Sequence, residues 1–217
     1  LLKGAPGTGK SALLCKLWQG LEYKDCTVFP FFCGISAQTS HVTGLLRLFC
    51  HQLSNLLALE DISGSFSDFL QLRRHFSTLL RRAGRKGRIV LLVDALDQLF
   101  PCEEARNLMW LPLPLPPNVR VICTMIQGEA EEKAASIRNA KISDIPAITP
   151  DDVREIVDRL ALSTGKEFPM AALDELLQKK DSQGALSVGN PLYLSLLIQN
   201  LNMMNRYDHA AIDRHVQ

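Results

Sequence analysis

The first chemistry that the sequence offers is phosphate binding, in the segment Gly4–Ser11. Its residues follow the P-loop pattern G-x-x-x-x-G-K-S, in which glycines let backbone N–H groups surround an anion. In that pattern Lys10 neutralises the β- and γ-phosphates of a nucleotide, and the hydroxyl of Ser11 holds Mg²⁺. The residues expected to bind the nucleotide are Gly4, Ala5, Pro6, Gly7, Thr8, Gly9, Lys10, Ser11 and Ala12.

The flanking residues predict the elements that a P-loop needs. The residues Leu1–Lys3 predict the end of a buried strand, and a helix is expected from about Gly9. The positive N-terminal end of that helix would strengthen phosphate binding. The apolar residues that share one face of the helix are Leu13, Leu14, Leu17 and Trp18. A chance match in a Gly-rich turn would lack this context.

A second set of candidate side chains follows the apolar run Ile89–Val93, which predicts a buried parallel strand. Asp94 stands at the carboxyl end of this strand, where α/β sheets place their ligands. A carboxylate there can hold Mg²⁺ together with Ser11, and Asp97 is placed to orient or deprotonate an attacking water. Apolar runs that end in aspartate are common, so this assignment depends on the P-loop.

A further buried strand is predicted at Asn118–Thr124, and Thr124 at its end could sense the γ-phosphate or the catalytic water. The P-loop and the Asp94 strand imply an added strand between them, an arrangement used for hydrolysis by a polarised water. The fold class expected is therefore α/β, a P-loop NTPase of the ASCE type with a parallel sheet flanked by helices. The predicted catalytic residues are Lys10, Asp94, Asp97 and Thr124.

The remaining pattern predicts a two-part chain. The other elements expected before residue 149 are a strand at Cys26–Ile35 and helices from His41, at Phe66–Arg82, at Pro101–Trp110 (with Leu108 and Met109 inward) and at Glu129–Asn139, then a short strand within Lys141–Ile148. Pro30 indicates an edge strand or a bulge. Thr149 and Pro150 then mark a helix start.

From that point the pattern is helical, with a second helix carrying Leu173, Leu176 and Leu177 and a third from Pro191. We therefore expect a P-loop nucleotide-binding α/β domain at residues 1–148. A small helical lid domain, cut short at its C-terminus, is expected at residues 149–217.

Composition restricts the classes of partner. The chain has 217 residues and a formal net charge of +1, so no global field favours nucleic acid. The basic stretch Arg81–Arg88 could be a nucleic-acid patch or a cationic helix C-terminus followed by a Gly turn. We favour the helix C-terminus, because no aromatic residues interleave with the basic ones. The sequence contains no run of about 18 apolar residues, so no membrane span is predicted. Nucleic-acid and membrane partners are therefore not expected.

The six cysteines form no C-x-x-C pair, and several lie in apolar runs. They are interpreted as small core residues of a reducing compartment, which predicts a cytoplasmic protein. The spacing of cysteines and histidines lacks the ligand pattern of a zinc site.

Three segments together resemble the STAND class of signalling NTPases, and more narrowly its NACHT branch. They are Gly4–Ser11, Leu92–Leu99 (LVDALDQL) and Gly189–Leu194 (GNPLYL). The segments similar to the nephrocystin and telomerase-component-like group are Gly34–Ser40, Leu45–Leu48, Trp110–Pro112 and Pro117–Val119. The resemblance covers nearly the whole chain in the expected order.

The resemblance implies a regulatory ATPase that holds ADP when closed, exchanges it for ATP, self-associates and activates an attached effector. By analogy Pro191 would lie against the adenine or ribose, although a proline also suits a helix start. Members often carry an arginine after the fourth strand, where this chain has Met125-Ile126-Gln127. This departure implies slow turnover. Sensor modules common in the class would lie outside what we take to be an excised core.

Two other functions fit the same motifs. An arginine from a neighbouring molecule would speed hydrolysis in any of these proteins, and Arg138 is the candidate. An AAA+-type ATPase that remodels DNA or protein would need a clear arginine finger. It would also need a sensor arginine in the helical part, where Arg154 and Arg159 are available. A nucleotide-binding scaffold without turnover would gain only stability from ATP or ADP.

Overall fold

A computed structural model describes residues 1–22, 24–102, 105–164, 178–180, 184 and 186–203. The chain divides into two compact units. The first unit comprises Leu1–Ala5 and Lys10–Ile145, and the second comprises Pro6–Gly9 and Pro146–Gln217. The tip of the P-loop is therefore grouped with the C-terminal part of the chain.

The first unit is a parallel five-stranded sheet with helices. Its elements are β1 (Leu2–Lys3), α1 (Lys10–Glu22), β2 (Thr27–Phe32), α2 (Val42–Leu57), α3 (Phe69–Lys86), β3 (Ile89–Asp94), β4 (Val119–Met125), α4 (Glu129–Ala135) and β5 (Ser143–Asp144). The strand order is β2-β3-β4-β1-β5, and every pair is parallel. Strand β4 thus lies between β1 and β3, which confirms the predicted ASCE-type fold.

Strand β3 is buried along its whole length, because the sheet is covered on both faces. Side chains alternate between the faces of a strand. Ile89, Leu91 and Val93 accordingly join one core cluster with residues of α2 and α3. Val90 and Leu92 join a second cluster with Leu14 of α1 and its neighbours. The continuous apolar run is therefore explained by two hydrophobic layers that meet at one strand.

Strand β2 is an edge strand of the described sheet, since it pairs only with β3. Pro30 has no N–H to donate, and an edge strand tolerates this because one side of its backbone has no partner strand. The edge position predicted from Pro30 is confirmed.

Helix α3 extends beyond the predicted end at Arg82. It continues through Gly84 to Lys86, so its last turn is basic, as predicted, and Gly87 is the C-cap. Gly84 is buried, and a Cβ there would lie 3.1 Å from Cγ2 of Val119 and 3.4 Å from Cβ of Pro116. The glycine thus serves close packing inside the helix, which propensity alone does not reveal.

The helix predicted at Pro101–Trp110 is wrong for the residues described there. Only a short 3₁₀ turn forms, at Ala105–Asn107. Leu108 is buried as predicted, but Met109 is 37% exposed. Leu108 has a φ of 64°, a left-handed conformation that is incompatible with a continuing helix.

The second unit contains α5 (Pro150–Thr164) and α6 (Pro191–Met203). Helix α5 begins with a reciprocal cap, in which Thr149 Oγ1 accepts from the N–H of Asp152 and donates to Asp152 Oδ2. The core residues of this unit are Val153, Val157, Val188, Leu194 and Ile198. The helix predicted around Leu173, Leu176 and Leu177 lies outside the described residues.

No helix in the described ranges combines the length and apolar character that a membrane span requires.

Candidate nucleotide-binding site

The foot of the P-loop continues directly from β1 and is anchored on β4. The N–H of Gly4 donates to the carbonyl oxygen of Met125 at 3.3 Å. Lys10, the first residue of α1, turns its ammonium group back toward the loop and donates to the carbonyl oxygens of Gly4 at 2.7 Å and Ala5 at 2.8 Å. An ammonium group has three N–H donors, so two shape the loop and one remains for a phosphate oxygen.

The tip of the loop, described within the second unit, contains two glycines with positive φ. Gly7 and Gly9 have φ values of +80° and +85°, a region that side-chain-bearing residues rarely adopt. A Cβ on Gly9 would lie 3.8 Å from Cγ of Pro191, so Pro191, the first residue of α6, is a neighbour of this glycine. Its predicted contact with the adenine or ribose stays a prediction.

Asp94 ends β3 and is 5% exposed. Its carboxylate oxygen Oδ1 accepts a hydrogen bond from the hydroxyl of Thr124 at 2.5 Å. The same Thr124 hydroxyl accepts the backbone N–H of Ala95 at 2.8 Å. Thr124 is fully buried. These bonds orient the Asp94 carboxylate, and the predicted contact of Thr124 with the γ-phosphate or water stays a prediction.

The chain turns sharply after Asp94. Ala95 has a φ of 53°, a conformation that is costly for a residue with a Cβ. The bond from its N–H to Thr124 helps to stabilise this turn. A 3₁₀ turn at Leu96–Gln98 follows and carries Asp97.

Asp97 is directed toward the end of β4. Its Oδ1 accepts the N–H of Ile126 at 3.1 Å, and its Oδ2 accepts from Nε2 of Gln98 at 2.9 Å. Ile126 adjoins Met125, whose carbonyl oxygen anchors Gly4. The backbone of residues 125–126 therefore connects Asp97 with the foot of the P-loop.

The surroundings of Asp94 contain neutral thiols. The N–H of Cys33 donates to the carbonyl oxygen of Asp94 at 3.1 Å. Burial raises the pKa of the Cys33 thiol well above its ordinary value, and it raises the pKa of Cys123 to about 12. Both thiols remain protonated at neutral pH, so they add no negative charge beside the carboxylate.

The residues present fit a nucleotide with Mg²⁺. Lys10 supplies the cation for phosphate, while the Ser11 hydroxyl and the Asp94 carboxylate are the oxygen ligands that Mg²⁺ prefers. Ser11 and Ala12 are exposed in the first turn of α1. Gly4, Lys10, Asp94, Asp97 and Thr124 all lie at the carboxyl edge of the sheet, where parallel strands bind ligands.

Two features of the site were not predicted from the sequence. The hydrogen bond between Thr124 and Asp94 depends on the register of β3 and β4. Asn190 carried no predicted role of its own, and its side chain bonds the P-loop tip. Arg138, the candidate arginine finger, is exposed in the turn after α4.

The fold and the site define a P-loop NTPase domain. The family model of the NACHT domain matches residues 1–163. Since this is well over half of the chain, the protein belongs to the NACHT domain family.

The relatives are long proteins of which this chain matches a small part. Human NACHT domain- and WD repeat-containing protein 1 is 35% identical over 135 residues, which are 59% of this chain and 9% of that protein. Human nephrocystin-3 is 29% identical over 168 residues, which are 72% of this chain and 12% of that protein. The chain thus spans about a tenth of each of these curated relatives.

Solved structures support the fold. A Walker-type ATPase of Pyrococcus abyssi superposes with a TM-score of 0.58 at 15% identity, covering 99% of this chain and 65% of the other. Cdc6p of Pyrobaculum aerophilum gives a TM-score of 0.54 at 15% identity, covering 91% of this chain and 53% of the other. At this identity the likeness establishes the fold alone.

Proposed function

We propose that this chain is the core of a nucleotide-switched signalling ATPase. It binds ATP or ADP with Mg²⁺, hydrolyses ATP slowly, and so controls self-association and an attached effector. The observation that carries the proposal is the common anchorage on β4. Its last residues hold Gly4 of the P-loop, the adjoining N–H of Ile126 holds Asp97, and Thr124 holds Asp94.

The chemistry proposed is electrostatic. When bound, Mg²⁺ would neutralise charge on the phosphate oxygens, with Ser11 and Asp94 as its protein ligands. Lys10 and the N–H groups of the loop bind the phosphates and stabilise the charge that develops on them. Asp97 orients the attacking water and accepts its proton.

We infer slow turnover from the residues at the end of β4, because residues 125–127, which follow Thr124, include no arginine. An arginine that stabilises the transition state can contribute about 10³–10⁵ in rate. A domain without one hydrolyses slowly and holds its nucleotide long enough to act as a switch. Arg138, which is exposed after α4, is our candidate for an arginine finger that one molecule would supply to a neighbour.

The partners proposed follow from the relatives' names. One names WD repeats and another, from Dictyostelium discoideum, names TPR repeats. We propose that sensor modules of this kind and an effector flank the NTPase core. The described cysteines are all free, which fits a cytoplasmic location.

The test is nucleotide identification followed by turnover. Purified protein is denatured and the released nucleotide is identified, and ATP hydrolysis is then measured with Mg²⁺, with and without duplex DNA at physiological salt. We expect ADP or ATP in the protein and slow turnover that DNA does not change. DNA-stimulated hydrolysis would favour the remodelling ATPase instead, and tight binding without turnover would favour a scaffold.

A further inference from the structure

The start of α6 makes two hydrogen bonds to the P-loop tip, all within the second unit. Nδ2 of Asn190 donates to the carbonyl oxygen of Pro6 at 3.1 Å. The backbone N–H of Leu192 donates to the carbonyl oxygen of Gly7 at 3.2 Å. Two consecutive carbonyl groups of the loop are therefore held by residues 184 and 185 positions later in the chain.

Asn190 also caps the N-terminus of α6. Its Oδ1 accepts the N–H groups of Leu192 at 3.0 Å and Tyr193 at 3.5 Å, which caps the N-terminus of α6. The amide oxygen thus faces N–H donors and the amide nitrogen faces a carbonyl acceptor. Since each end of the amide meets a partner of the opposite kind, the hydrogen bonds define its orientation.

The approach is close enough to require a glycine in the loop. A Cβ on Gly7 would lie 2.6 Å from Oδ1 and 2.8 Å from Nδ2 of Asn190. Both distances are shorter than real Cβ contacts, and the φ of +80° adds strain for any side chain. Gly7 therefore accommodates Asn190 as well as the turn of the loop.

Holding a carbonyl group also fixes the N–H on the other side of the same peptide. In a trans peptide the C=O and N–H bonds point in opposite directions. The Pro6 carbonyl shares its peptide with the N–H of Gly7, and the Gly7 carbonyl shares its peptide with the N–H of Thr8. The two contacts thus direct the N–H of Gly7 away from Asn190 and the N–H of Thr8 away from Leu192.

We propose that Asn190 is a positioning residue for nucleotide binding. Its side-chain amide holds the P-loop tip in the conformation that presents N–H groups to the phosphates. This inference rests on the proposed nucleotide binding and differs from the role predicted for Pro191, because it acts on the loop backbone rather than on the nucleotide. A preorganised loop binds more tightly, since less ordering is required when the ligand arrives.

The first experiment compares Asn190→Ala with Asn190→Ser. A serine retains an oxygen that caps α6, but its side chain is too short to reach the Pro6 carbonyl. We expect Asn190→Ser to unfold at nearly the wild-type temperature and yet to bind a fluorescent ADP analogue about three- to tenfold more weakly. Asn190→Ala should lose both affinity and thermal stability. Gln199→Ala, an exposed change on the same helix, is the control.

Wild-type affinity in Asn190→Ser would overturn the proposal, because Asn190 would then only cap the helix. A second experiment needs no nucleotide. Gly7→Ala is made in the wild-type and the Asn190→Ala backgrounds, and the two losses in melting temperature are compared. The loss should be smaller without Asn190, and equal losses would contradict the contact. If wild-type protein binds no ADP, the proposed function fails, while this second experiment still tests the contact.

Discussion

Thr124 on β4 donates its hydroxyl hydrogen to the carboxylate of Asp94 at the end of β3, and its oxygen accepts the N–H of Ala95. One buried hydroxyl group thus holds both the carboxylate proposed as a Mg²⁺ ligand and the left-handed residue that turns the chain after it. The pairing depends on the register of the two strands. Val93 of β3 lies opposite Cys123 of β4, so Asp94 and Thr124 are the next residues on their respective strands.

Replacing Thr124 should therefore affect stability and Mg²⁺ dependence together. Thr124→Val keeps the shape but leaves the Ala95 N–H without its acceptor, and we expect the free energy of unfolding to fall by about 1–3 kcal/mol. The Mg²⁺ concentration that gives half-maximal ATP turnover should rise, because Asp94 loses its orienting bond. Thr124→Ser retains the hydroxyl and should stay close to wild type in both measurements. A valine variant with normal Mg²⁺ dependence would show that the bond is structural only.

Asp97 can be tested with two substitutions that differ in one property. Asp97→Asn keeps an oxygen that accepts the Ile126 N–H but loses the negative charge, whereas Asp97→Ala loses both. If the carboxylate accepts a proton from water, both variants should bind ADP like wild type and hydrolyse ATP about a hundredfold more slowly. Single-turnover hydrolysis is the measurement. Normal turnover in the asparagine variant would leave Asp97 only the role of holding the loop.

Two helical glycines should respond oppositely to alanine. A Cβ on Gly44 would lie 2.0 Å from the carbonyl oxygen of Gln38, whereas one on Gly20 would meet nothing within 4 Å. Gly44→Ala should lower the free energy of unfolding by about 1–3 kcal/mol through overpacking. Gly20→Ala should raise it by about 0.5–1 kcal/mol through helix propensity. Urea denaturation measures both changes in the free energy of unfolding. A stabilised Gly44 variant would contradict the close approach of the Gln38 carbonyl oxygen to Gly44.

The cap of α5 makes a prediction about pH. Hydrogen bonds from the hydroxyl and the N–H of Thr149 lower the pKa of Asp152 from its usual value. A lowered pKa in the folded state means that the cap stabilises the protein at neutral pH and is lost as the pH falls below about 4. The melting temperatures of wild type and Asp152→Asn should converge over that range. Asp158→Asn, an exposed change on the same helix, should show no such convergence if the cap is responsible.

Local patterns were sufficient to predict the framework of the first unit. The apolar run before Asp94 predicts a buried strand, and the residues from Gly4 to Ser11 predict a P-loop. Because the strands are parallel, their carboxyl ends lie at one edge of the sheet. One strand was predicted between the P-loop strand and the Asp94 strand, and β4 lies there. Pro30 likewise indicated the edge strand from its missing N–H.

Features that depend on packing could not be predicted in this way. Gly84 looked like a helix end, because its burial against Val119 and Pro116 is a tertiary contact. Leu108 and Met109 suggested a helix face, although Leu108 adopts a left-handed conformation. For Asn190 the position before Pro191 signals a helix cap, but nothing local indicates that its amide nitrogen reaches the Pro6 carbonyl.

The central claim, that the loop ending in Lys10 and Ser11 binds a nucleotide, is tested most directly by titrating Mg-ADP into wild-type, Lys10→Ala and Lys16→Ala proteins in a calorimeter. Lys16 is exposed on the same helix and controls for the loss of one positive charge. We predict saturable binding to wild type and Lys16→Ala and no measurable binding to Lys10→Ala. Equal binding by all three proteins, or no binding to nucleotide-free wild type, would contradict the account.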